Sequence, residues 1–324
     1  MQVHRDINSL PLFKNPVITI GTFDGVHTGH IKIIEQLKRE ASEIDGETII
    51  ITFDPHPRII LDPASKINLL NTPDEKIELL RKQKIDHLIV VNFTILFSEQ
   101  SPYDYIKDFL VDKIHPHTLI IGYDHHFGKD RKGNYQLLEK YAAHFNYHVK
   151  EIPEHILNEV TISSTKIRNA LLTHQNETAN KYLGYHYFFE GKVVEGNKIG
   201  RTLGYPTANL EIADPLKLVP GNGVYVVQVA VQNKQGPTSI GENLNSSALI
   251  HNGMMSIGVR PTLDKNDRTI EVNIFDFDKD IYDQTIRVYV INYLREEKKF
   301  SGLPELQDEI AKDKINALKL LSEL

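Results

Sequence analysis

The first half of the chain alternates between two hydrophobic patterns. Short apolar runs rich in β-branched residues predict strands at Val17–Ile20, Thr48–Phe53, His87–Asn92, Thr118–Gly122 and His148–Ile152. Between these runs, apolar residues at helical spacing predict helices over 74–83, 102–114 and 133–145, and one whose apolar face carries Ile31, Ile34, Leu37, Ala41 and Ile44. Strands that alternate with helices predict a Rossmann-like α/β domain, in which helices cover both faces of a parallel sheet.

From about Tyr187 the hydrophobic period changes to two. Apolar and polar residues alternate over Val224–Val231, Ile270–Phe275 and Ile286–Val290, and Gly and Pro cluster between these segments. That pattern predicts a domain of antiparallel strands, closed as a β-barrel or stacked as a sandwich. After Pro304, one side of a terminal helix is predicted to carry Leu306, Ile310, Ile315, Leu318 and Leu321. We therefore predict two domains, 1–183 and 184–324, separated after a helix that starts at Ser163.

Composition excludes several classes of protein. The 324 residues are 40% hydrophobic and 25% charged, as in a soluble globular protein, and the net charge of −6 argues against a nucleic-acid partner. Cysteine is absent, so no disulfide or thiolate metal site can form. No signal peptide or apolar run of membrane-spanning length is present, and we expect a cytoplasmic protein without membrane contacts. The oligomeric state stays open, a homo-oligomer included.

The first chemical motif is Gly21-Thr-Phe-Asp-Gly-Val-His-Thr-Gly-His30, which joins a predicted strand to a predicted helix. His27 and His30 are three residues apart, so both rings can project from the same side of the first helical turn. Free backbone N–H groups and the helix dipole make this end a seat for polyphosphate, whose oxygens the imidazoles could hydrogen-bond. Alone, the four letters His-x-Gly-His fit an ordinary surface helix about as well; the strand, glycine loop and helix around them favour the functional interpretation.

Three further motifs follow in order along the first half. They are Thr52-Phe-Asp-Pro-His-Pro-Arg58, Gly122-Tyr-Asp-His-His-Phe-Gly128 and Ile162-Ser-Ser-Thr-Lys-Ile-Arg168. A proline on each side of His56 makes a stiff loop that would hold the ring beside a ligand. Ser163 and Ser164 are suited to cap a helix, where Thr165, Lys166 and Arg168 could meet phosphates. Each motif alone also fits a turn, a capped helix or a solvated cation.

The second half contains Gly191-Lys-Val-Val-Glu-Gly-Asn-Lys-Ile-Gly-Arg-Thr-Leu-Gly-Tyr-Pro-Thr-Ala-Asn209 and no Walker-type phosphate loop. Its glycines, Gly196, Gly200 and Gly204, would let the backbone fold around phosphate, although they would equally serve turns of a barrel. Thr207 and Asn209 lie two apart on an extended segment and point to one side. Their neutral oxygens could complete a Mg²⁺ shell made largely of water and ATP phosphates.

Glu271 is the candidate general base of the second half. Strand alternation places Ile270, Val272 and Ile274 on one face and Glu271, Asn273 and Phe275 on the other. A carboxylate on the ligand-facing side could accept the proton of a sugar-like hydroxyl as that hydroxyl attacks the γ-phosphorus of ATP. Without context, an exposed glutamate on a strand is far more common than a catalytic one.

Together these motifs resemble the bacterial bifunctional riboflavin kinase/FMN adenylyltransferase (FAD synthetase) family over roughly residues 10 to 315. The resemblance implies a nucleotidyltransferase domain followed by a β-barrel kinase domain, with Mg²⁺, ATP, riboflavin, FMN and FAD as the small molecules bound. In the first domain it implies that ATP contacts Gly21, Phe23, Asp24, His27, His30, Ser164, Thr165 and Arg168. On the FMN side it implies Phe53, Pro55, His56, Asp124 and Phe127, with His125 standing where the family usually has Phe.

For the second domain the resemblance assigns Glu271 as the catalytic base and Thr207 and Asn209 as the residues beside Mg²⁺. The nucleotide and flavin would contact Gly196, Gly200, Arg201, Gly204, Pro206, Thr207, Asn209 and Arg295. Asn273, Ser256 and Leu263 depart from the family pattern, which has His, Asn and Phe there. Two alternatives stay open: a riboflavin kinase fused to an adenylyltransferase for another acceptor, and a flavin-binding regulator without activity.

Overall fold

The architecture is taken from a computed structural model, which describes residues 1–122, 125–152, 162–196, 199–231, 249–261 and 266–323. The chain divides into two units of similar size. One unit consists of Met1–Ile67 and Pro73–Ser163, and the other consists of Asn68–Thr72 and Ser164–Leu324. No helix in the described part of the chain has an apolar stretch long enough to cross a bilayer.

The first unit contains the predicted parallel sheet. Its strands are β1 (Gln2–His4), β2 (Val17–Ile20), β3 (Thr48–Asp54), β4 (His87–Asn92), β5 (Thr118–Gly122) and β6 (His148–Ile152), in the spatial order β1-β4-β3-β2-β5-β6. All neighbouring pairs are parallel. Ile18, Ile49, Ile51 and Ile89 are buried in the core. Their exclusion from water explains why these strands read as continuous apolar runs. The edge strand β1 has no such run and was not predicted.

The helices of the first unit confirm the hydrophobic pattern. They are α1 (Thr28–Glu43), α2 (Pro57–Leu61), α3 (Pro73–Lys82), α4 (Ile95–Ser98), α5 (Pro102–Asp104), α6 (Asp112–Ile114) and α7 (Tyr135–Phe145). The helix predicted over 102–114 has a π-helical middle, Tyr105–Val111. In α1, Ile34, Leu37 and Ala41 are buried as predicted.

Strand order fixes where ligands can approach this sheet. The chain moves from β2 through β3 to β4 on one side and continues with β5 and β6 on the other. The order therefore reverses between β2 and β5, and loops that leave the carboxyl ends of two such strands diverge and open a crevice. Three of the predicted motifs start at the carboxyl ends of β2, β3 and β5, so the topology gathers them at one edge of the sheet.

The second unit is built on a closed antiparallel barrel, and the sandwich alternative is excluded. The strands β7 (Phe188–Val194), β8 (Ala208–Glu211), β9 (Gly223–Val231), β10 (Leu249–Pro261), β11 (Asn266–Ile274) and β12 (Thr285–Arg295) are ordered β10-β11-β8-β7-β12-β9. Pairing of β9 with β10 closes the barrel. The helices of the second unit are α8 (Ser164–Leu172), α9 (Asn176–Leu183), α10 (Ile199–Thr202) and α11 (Leu303–Leu321).

The terminal helix α11 is present, but the predicted apolar stripe is wrong at two positions. Ile315 and Leu318 are 67% and 41% exposed. The buried face of the helix carries Asp313, Ala317 and Leu321 instead. Residues 313, 317 and 321 share one face because they are four apart, which turns 315 and 318 away from the barrel. An aspartate on a buried face has no hydrophobic signal, so the stripe could not be placed correctly from apolar residues alone.

Candidate active sites

The first site begins where β2 ends and the chain turns into α1. The turn holds three residues at positive φ: Phe23 at 47°, Gly25 at 89° and Val26 at 36°. Phenylalanine and valine are strained in this region, and such strain persists only where the surroundings hold it. The buried Phe23 ring folds back over Gly21, where an added Cβ would lie 3.2 Å from Cε2 of Phe23. Gly21 and Phe23 are therefore packed together at the base of the loop.

His27 and His30 meet at the amino terminus of α1, as their spacing predicts. The two imidazole rings stack with centroids 3.7 Å apart and planes at 17°, and Phe23 covers His30 at 4.8 Å. His27 is only 6% exposed. Within the described residues, the Nδ1 atoms of both rings are buried and lack a hydrogen-bond partner. Buried polar atoms without partners are rare in folded proteins and call for an explanation, such as a ligand.

Burial keeps both imidazoles neutral at pH 7. Desolvation lowers the pKa of His27 to about 4, against a smaller opposing effect of Asp24. The pKa of His30 lies well below its ordinary value, mainly because its ring is desolvated and also because His27 and Lys76 are nearby. Each neutral ring therefore carries one N–H donor and one acceptor nitrogen. The first turn of α1 contains no acidic residue, so the positive end of the helix dipole favours an anionic ligand.

Lys76 is a residue of this site that sequence reasoning missed. It lies on α3 and is 9% exposed, and its ammonium donates a hydrogen bond to the Thr22 carbonyl at 2.8 Å. The sequence signal was weak, since Lys76 sits among charged residues in the stretch Pro73-Asp-Glu-Lys-Ile. A lysine is almost never fully buried unless it is paired, so its burial here marks a specific role.

The predicted FMN-side residues occupy the ends of the neighbouring strands. Phe53 is the last residue but one of β3 and packs edge to face against Phe93 at 5.4 Å. Pro55 leads to His56, whose Nδ1 accepts a hydrogen bond from the Arg58 N–H at 3.1 Å and caps α2. The cap explains how the loop holds the His56 ring.

The loop after β5 carries the remaining FMN-side predictions. Phe127 is buried and stacks on Tyr105 at 4.8 Å, at the start of the π-helical turn. His125, the departure from the family, lies 6.0 Å from the Phe127 ring. Asp124 lies outside the described residues. Since Phe127 belongs to the core cluster, its packing accounts for the aromatic residue at this position, and its contact with FMN stays a prediction.

Ser164, Thr165 and Arg168 belong to the second unit. Ser164 is the first residue of α8, directly after Ser163. Arg168 follows one turn later, and its Nε donates to the Asn68 carbonyl at 2.8 Å. Its Nη1 lies 3.5 Å from the Thr165 hydroxyl. The three residues therefore share one end of α8, as their spacing predicts, and their assignment to ATP stays a prediction.

The second site lies on the barrel, where β8 and β11 run side by side. Asn209 and Glu271 are direct partners in the antiparallel register, so their side chains share a face. The hydroxyl of Thr207 donates to Oε2 of Glu271 at 3.2 Å. Ser256 of β10 is the register partner of Glu271 on its other side. The structure thus brings together the three residues that the sequence predicts for the base and the metal.

Two glycines of the long motif, Gly196 and Gly200, stand where a side chain would collide with neighbouring atoms. A Cβ on Gly196 would fall 2.1 Å from Nδ2 of Asn209, and one on Gly200 would fall 2.3 Å from the Tyr205 carbonyl oxygen. Gly204 has a φ of +82°, which favours glycine. Arg201 lies between them on α10 and is exposed. The backbone therefore passes close over Asn209, as a phosphate-binding loop requires.

Asn273 contributes a hydrogen bond to the backbone of the same site. Its amide donates to the carbonyl of Pro206 at 2.7 Å, and it is buried. The alternation predicted for β11 places it on the face of Glu271. Asn273 thereby fixes the residue that precedes Thr207, which gives a physical role to a position where the chain departs from the family.

Arg295 is held by the terminal helix. Its Nε and Nη2 donate to the Asp313 carboxylate at 2.9 and 2.7 Å, and its Nη1 donates to the Glu296 carbonyl. Two parallel N–H···O bonds are the strong geometry for this pair. The structure thus shows Arg295 anchoring α11 to the end of β12, while the predicted flavin contact of Arg295 stays a prediction.

Comparison with known families agrees with this division of sites. The FAD synthetase family model matches residues 11–166, and the riboflavin kinase family model matches residues 183–321. A bifunctional riboflavin kinase/FMN adenylyltransferase of Buchnera aphidicola is 35% identical over 97% of this chain and 96% of its own length. The protein of the same description from Listeria monocytogenes is 35% identical over 96% of this chain and 94% of its own.

A solved structure has the same fold. It is described as a macrolide-efflux protein from Streptococcus pneumoniae, is 29% identical, covers 96% of both chains and has a TM-score of 0.82. That description applies to the solved structure and not to this chain. Both family models and full-length relatives of one description lead to one conclusion: this chain belongs to the bifunctional riboflavin kinase/FMN adenylyltransferase family.

Proposed function

We propose that the barrel phosphorylates riboflavin to FMN with Glu271 as general base. The Glu271 carboxylate accepts the proton of the ribityl hydroxyl as that oxygen bonds to the γ-phosphorus of ATP, and the bond from this phosphorus to ADP breaks. The observation that supports this assignment is the hydrogen bond between Thr207 and Glu271, with Asn209 beside them in register. That arrangement fixes the carboxylate in one orientation next to the two oxygens expected to face the metal.

The residues present fit Mg²⁺ as the ion of the kinase site. Thr207 and Asn209 offer neutral oxygens, which suit a hard cation that keeps several waters and phosphate ligands. Among the described residues, no group of three or more His, Cys, Asp or Glu side chains could form a complete protein cage for a metal. A partial site of this kind is what a metal delivered with ATP needs. When bound, Mg²⁺ would neutralise charge on the phosphate oxygens.

We further propose that the first half transfers AMP from ATP to FMN. An oxygen of the FMN phosphate bonds to the α-phosphorus, and the bond to the departing pyrophosphate breaks. Neutral imidazoles of His27 and His30 donate hydrogen bonds to phosphate oxygens as charge develops there. The supporting observation is the stacked ring pair at the start of α1, in which both Nδ1 atoms are buried and lack a partner among the described residues, at a helix end that favours anions.

The assignments of Gly21, Phe23 and Asp24 to ATP and of Phe53, Pro55 and His56 to FMN are part of the same proposal. So is the boundary between residues 183 and 184, which lies at the start of the riboflavin kinase match at residue 183. Neither alternative is favoured. An adenylyltransferase for another acceptor would not match a FAD synthetase family, and a regulator without activity would not need the intact base and imidazole pair.

One experiment tests both activities at once. The protein is incubated with riboflavin, ATP and Mg²⁺, and riboflavin, FMN and FAD are separated by chromatography. We expect FMN to form first and FAD to follow. Absence of FMN would contradict the kinase assignment, and FMN without FAD would contradict the adenylyltransferase assignment. Omission of Mg²⁺ in the presence of a chelator should stop FMN formation.

A further inference from the structure

Lys76 lies beneath the loop that leads from β2 to the imidazole pair. Its ammonium is 2.8 Å from the carbonyl oxygen of Thr22 and 3.5 Å from Oγ1 of Thr52. The Thr52 hydroxyl donates to the same Thr22 carbonyl at 3.0 Å. One carbonyl thus accepts from two buried donors, one on α3 and one on β3.

The position of that carbonyl matters for the loop. Thr22 immediately precedes Phe23, the first residue at positive φ, and Phe23 packs against the ring of His30. The peptide between Thr22 and Phe23 therefore determines where the Phe23 ring lies and, through it, how His30 is covered. A backbone held in a strained conformation requires contacts that define it, and the two donors to the Thr22 carbonyl are such contacts.

The charge of Lys76 is balanced inside the same site. Burial lowers its pKa, while the carboxylates of Asp24 and Asp54 act in the opposite direction. Asp24 is 1% exposed and belongs to the same loop as Phe23. A buried cation is costly for stability, and a whole buried ion pair can often be replaced by well-packed apolar side chains at no loss. The cost is understandable if the cation serves the site rather than the fold.

We infer that Lys76 is a positioning residue of the adenylylation site: by holding the Thr22 carbonyl it sets the loop of residues 21–26 and the stacked His27–His30 pair for attack at the α-phosphorus. The inference rests on the proposed adenylyltransferase activity of the first half. It assigns Lys76 no contact with substrate.

The test compares Lys76→Met with Lys82→Met, a matched control on the same helix, where the Lys82 side chain is half exposed and its ammonium pairs with Glu78. Both activities are measured in the same full-length protein. FAD formation starts from FMN, and phosphorylation starts from riboflavin. We expect Lys76→Met to lower kcat for FAD formation by about 10²-fold, the effect of a misplacement of about 1 Å at a reacting centre. KM for FMN and the rate of riboflavin phosphorylation should not change.

Thermal unfolding separates positioning from support of the fold. We expect the midpoint of Lys76→Met to fall, since removal of one charge leaves the buried carboxylate of Asp24 less compensated, and both activities are therefore assayed well below that midpoint, where riboflavin phosphorylation should stay that of wild type. A lowered midpoint with parallel loss of both activities would overturn the inference, as would FAD formation within about twofold of wild type. If wild type itself makes no FAD, the proposed function fails instead.

Thr52→Val provides a second, independent variant. It removes the other donor to the Thr22 carbonyl while its shape is retained, and the side chain is buried at the end of β3. We expect the same pattern as for Lys76→Met with a smaller loss of kcat. If the double variant Thr52→Val/Lys76→Met kept full FAD-forming activity, the Thr22 carbonyl would need neither donor. That result would contradict the inference.

Discussion

The hydroxyl of Thr207, the residue directly before β8, donates a hydrogen bond to the carboxylate of Glu271 on β11 at 3.2 Å. The bond joins the two functions expected of the kinase site, the general base and the side chain beside the metal. Since Asn209 is the register partner of Glu271, one strand pair positions all three side chains. Any change in the pairing of β8 with β11 would therefore disturb proton transfer and metal binding together.

Glu271→Gln should abolish phosphorylation of riboflavin and leave conversion of FMN to FAD intact. The amide keeps the shape of the side chain and can still accept from Thr207, but it cannot take the substrate proton. We expect a loss of about 10²- to 10⁴-fold in kcat for FMN formation, measured by chromatography. Glu211→Gln, at an exposed position of β8, is the control and should behave as wild type. FMN formation near the wild-type rate would show that Glu271 is not the base.

Thr207→Val should raise the Mg²⁺ concentration needed for half-maximal kinase activity. Valine keeps the branched shape on the strand but removes both the oxygen expected to face the ion and the donor to Glu271. We expect a shift of at least about tenfold, the size of effect seen when outer contacts of a metal site are lost. The Mg²⁺ titration of Thr285→Val, exposed at the start of β12, should overlay that of wild type. If the Thr207→Val titration overlaid those of wild type and Thr285→Val, Thr207 would not be a metal-site residue.

Asn273→Leu should weaken the kinase half alone. The variant removes the amide that donates to the Pro206 carbonyl, and the loss of one such hydrogen bond costs about 0.5–1.5 kcal/mol in the free energy of unfolding. Because Pro206 precedes Thr207, we expect a fall in riboflavin phosphorylation with FMN adenylylation unchanged. Denaturant unfolding and the two activity assays measure these effects. Unchanged stability would show that the Pro206 carbonyl finds another donor.

Individual residues show how far the sequence determined these sites. His27 and His30 were predictable because residues three apart on a helix share a side, and Thr207, Asn209 and Glu271 were predictable because side chains alternate along strands. Lys76 was not predictable, since only the packing of α3 beneath the Thr22 carbonyl distinguishes it from a solvated lysine. The buried side of α11 was mispredicted for the same reason. Asp313 is buried because it pairs with Arg295, and a charged residue gives no hydrophobic signal.

The His27 ring should titrate far below an ordinary histidine. Its pKa falls from 6.5 to about 4 on folding, so the unfolded chain binds more protons between these values. Stability associated with His27 is therefore complete above about pH 6.5 and is lost as the pH falls through about 4. NMR of the imidazole nitrogens, with the resonance assigned from His27→Gln, measures this pKa. Titration of His27 near pH 6.5 would contradict the buried stacked arrangement.

The bidentate pair of Arg295 and Asp313 gives a test of stability and of flavin binding together. Asp313 is 5% exposed, and Asp313→Leu should leave the Arg295 guanidinium with the longer contact to Glu309 at 3.5 Å, at a cost of up to about 3–5 kcal/mol in the free energy of unfolding. Arg295→Met combined with Asp313→Leu should recover most of that loss, because well-packed apolar residues often replace a buried ion pair without penalty. Denaturant unfolding of the two single variants and the double variant gives the coupling energy. Additive losses would show that the two side chains do not stabilise each other.

The same double variant tests the predicted flavin contact of Arg295. If Arg295 only anchors α11, recovery of stability should restore riboflavin phosphorylation as well. If Arg295 also lies against the flavin, the double variant should be stable and still show a raised KM for riboflavin, with adenylylation of FMN unchanged. A stable double variant with wild-type kinase kinetics would therefore remove Arg295 from the flavin site and leave it the structural role that its contacts with Asp313 describe.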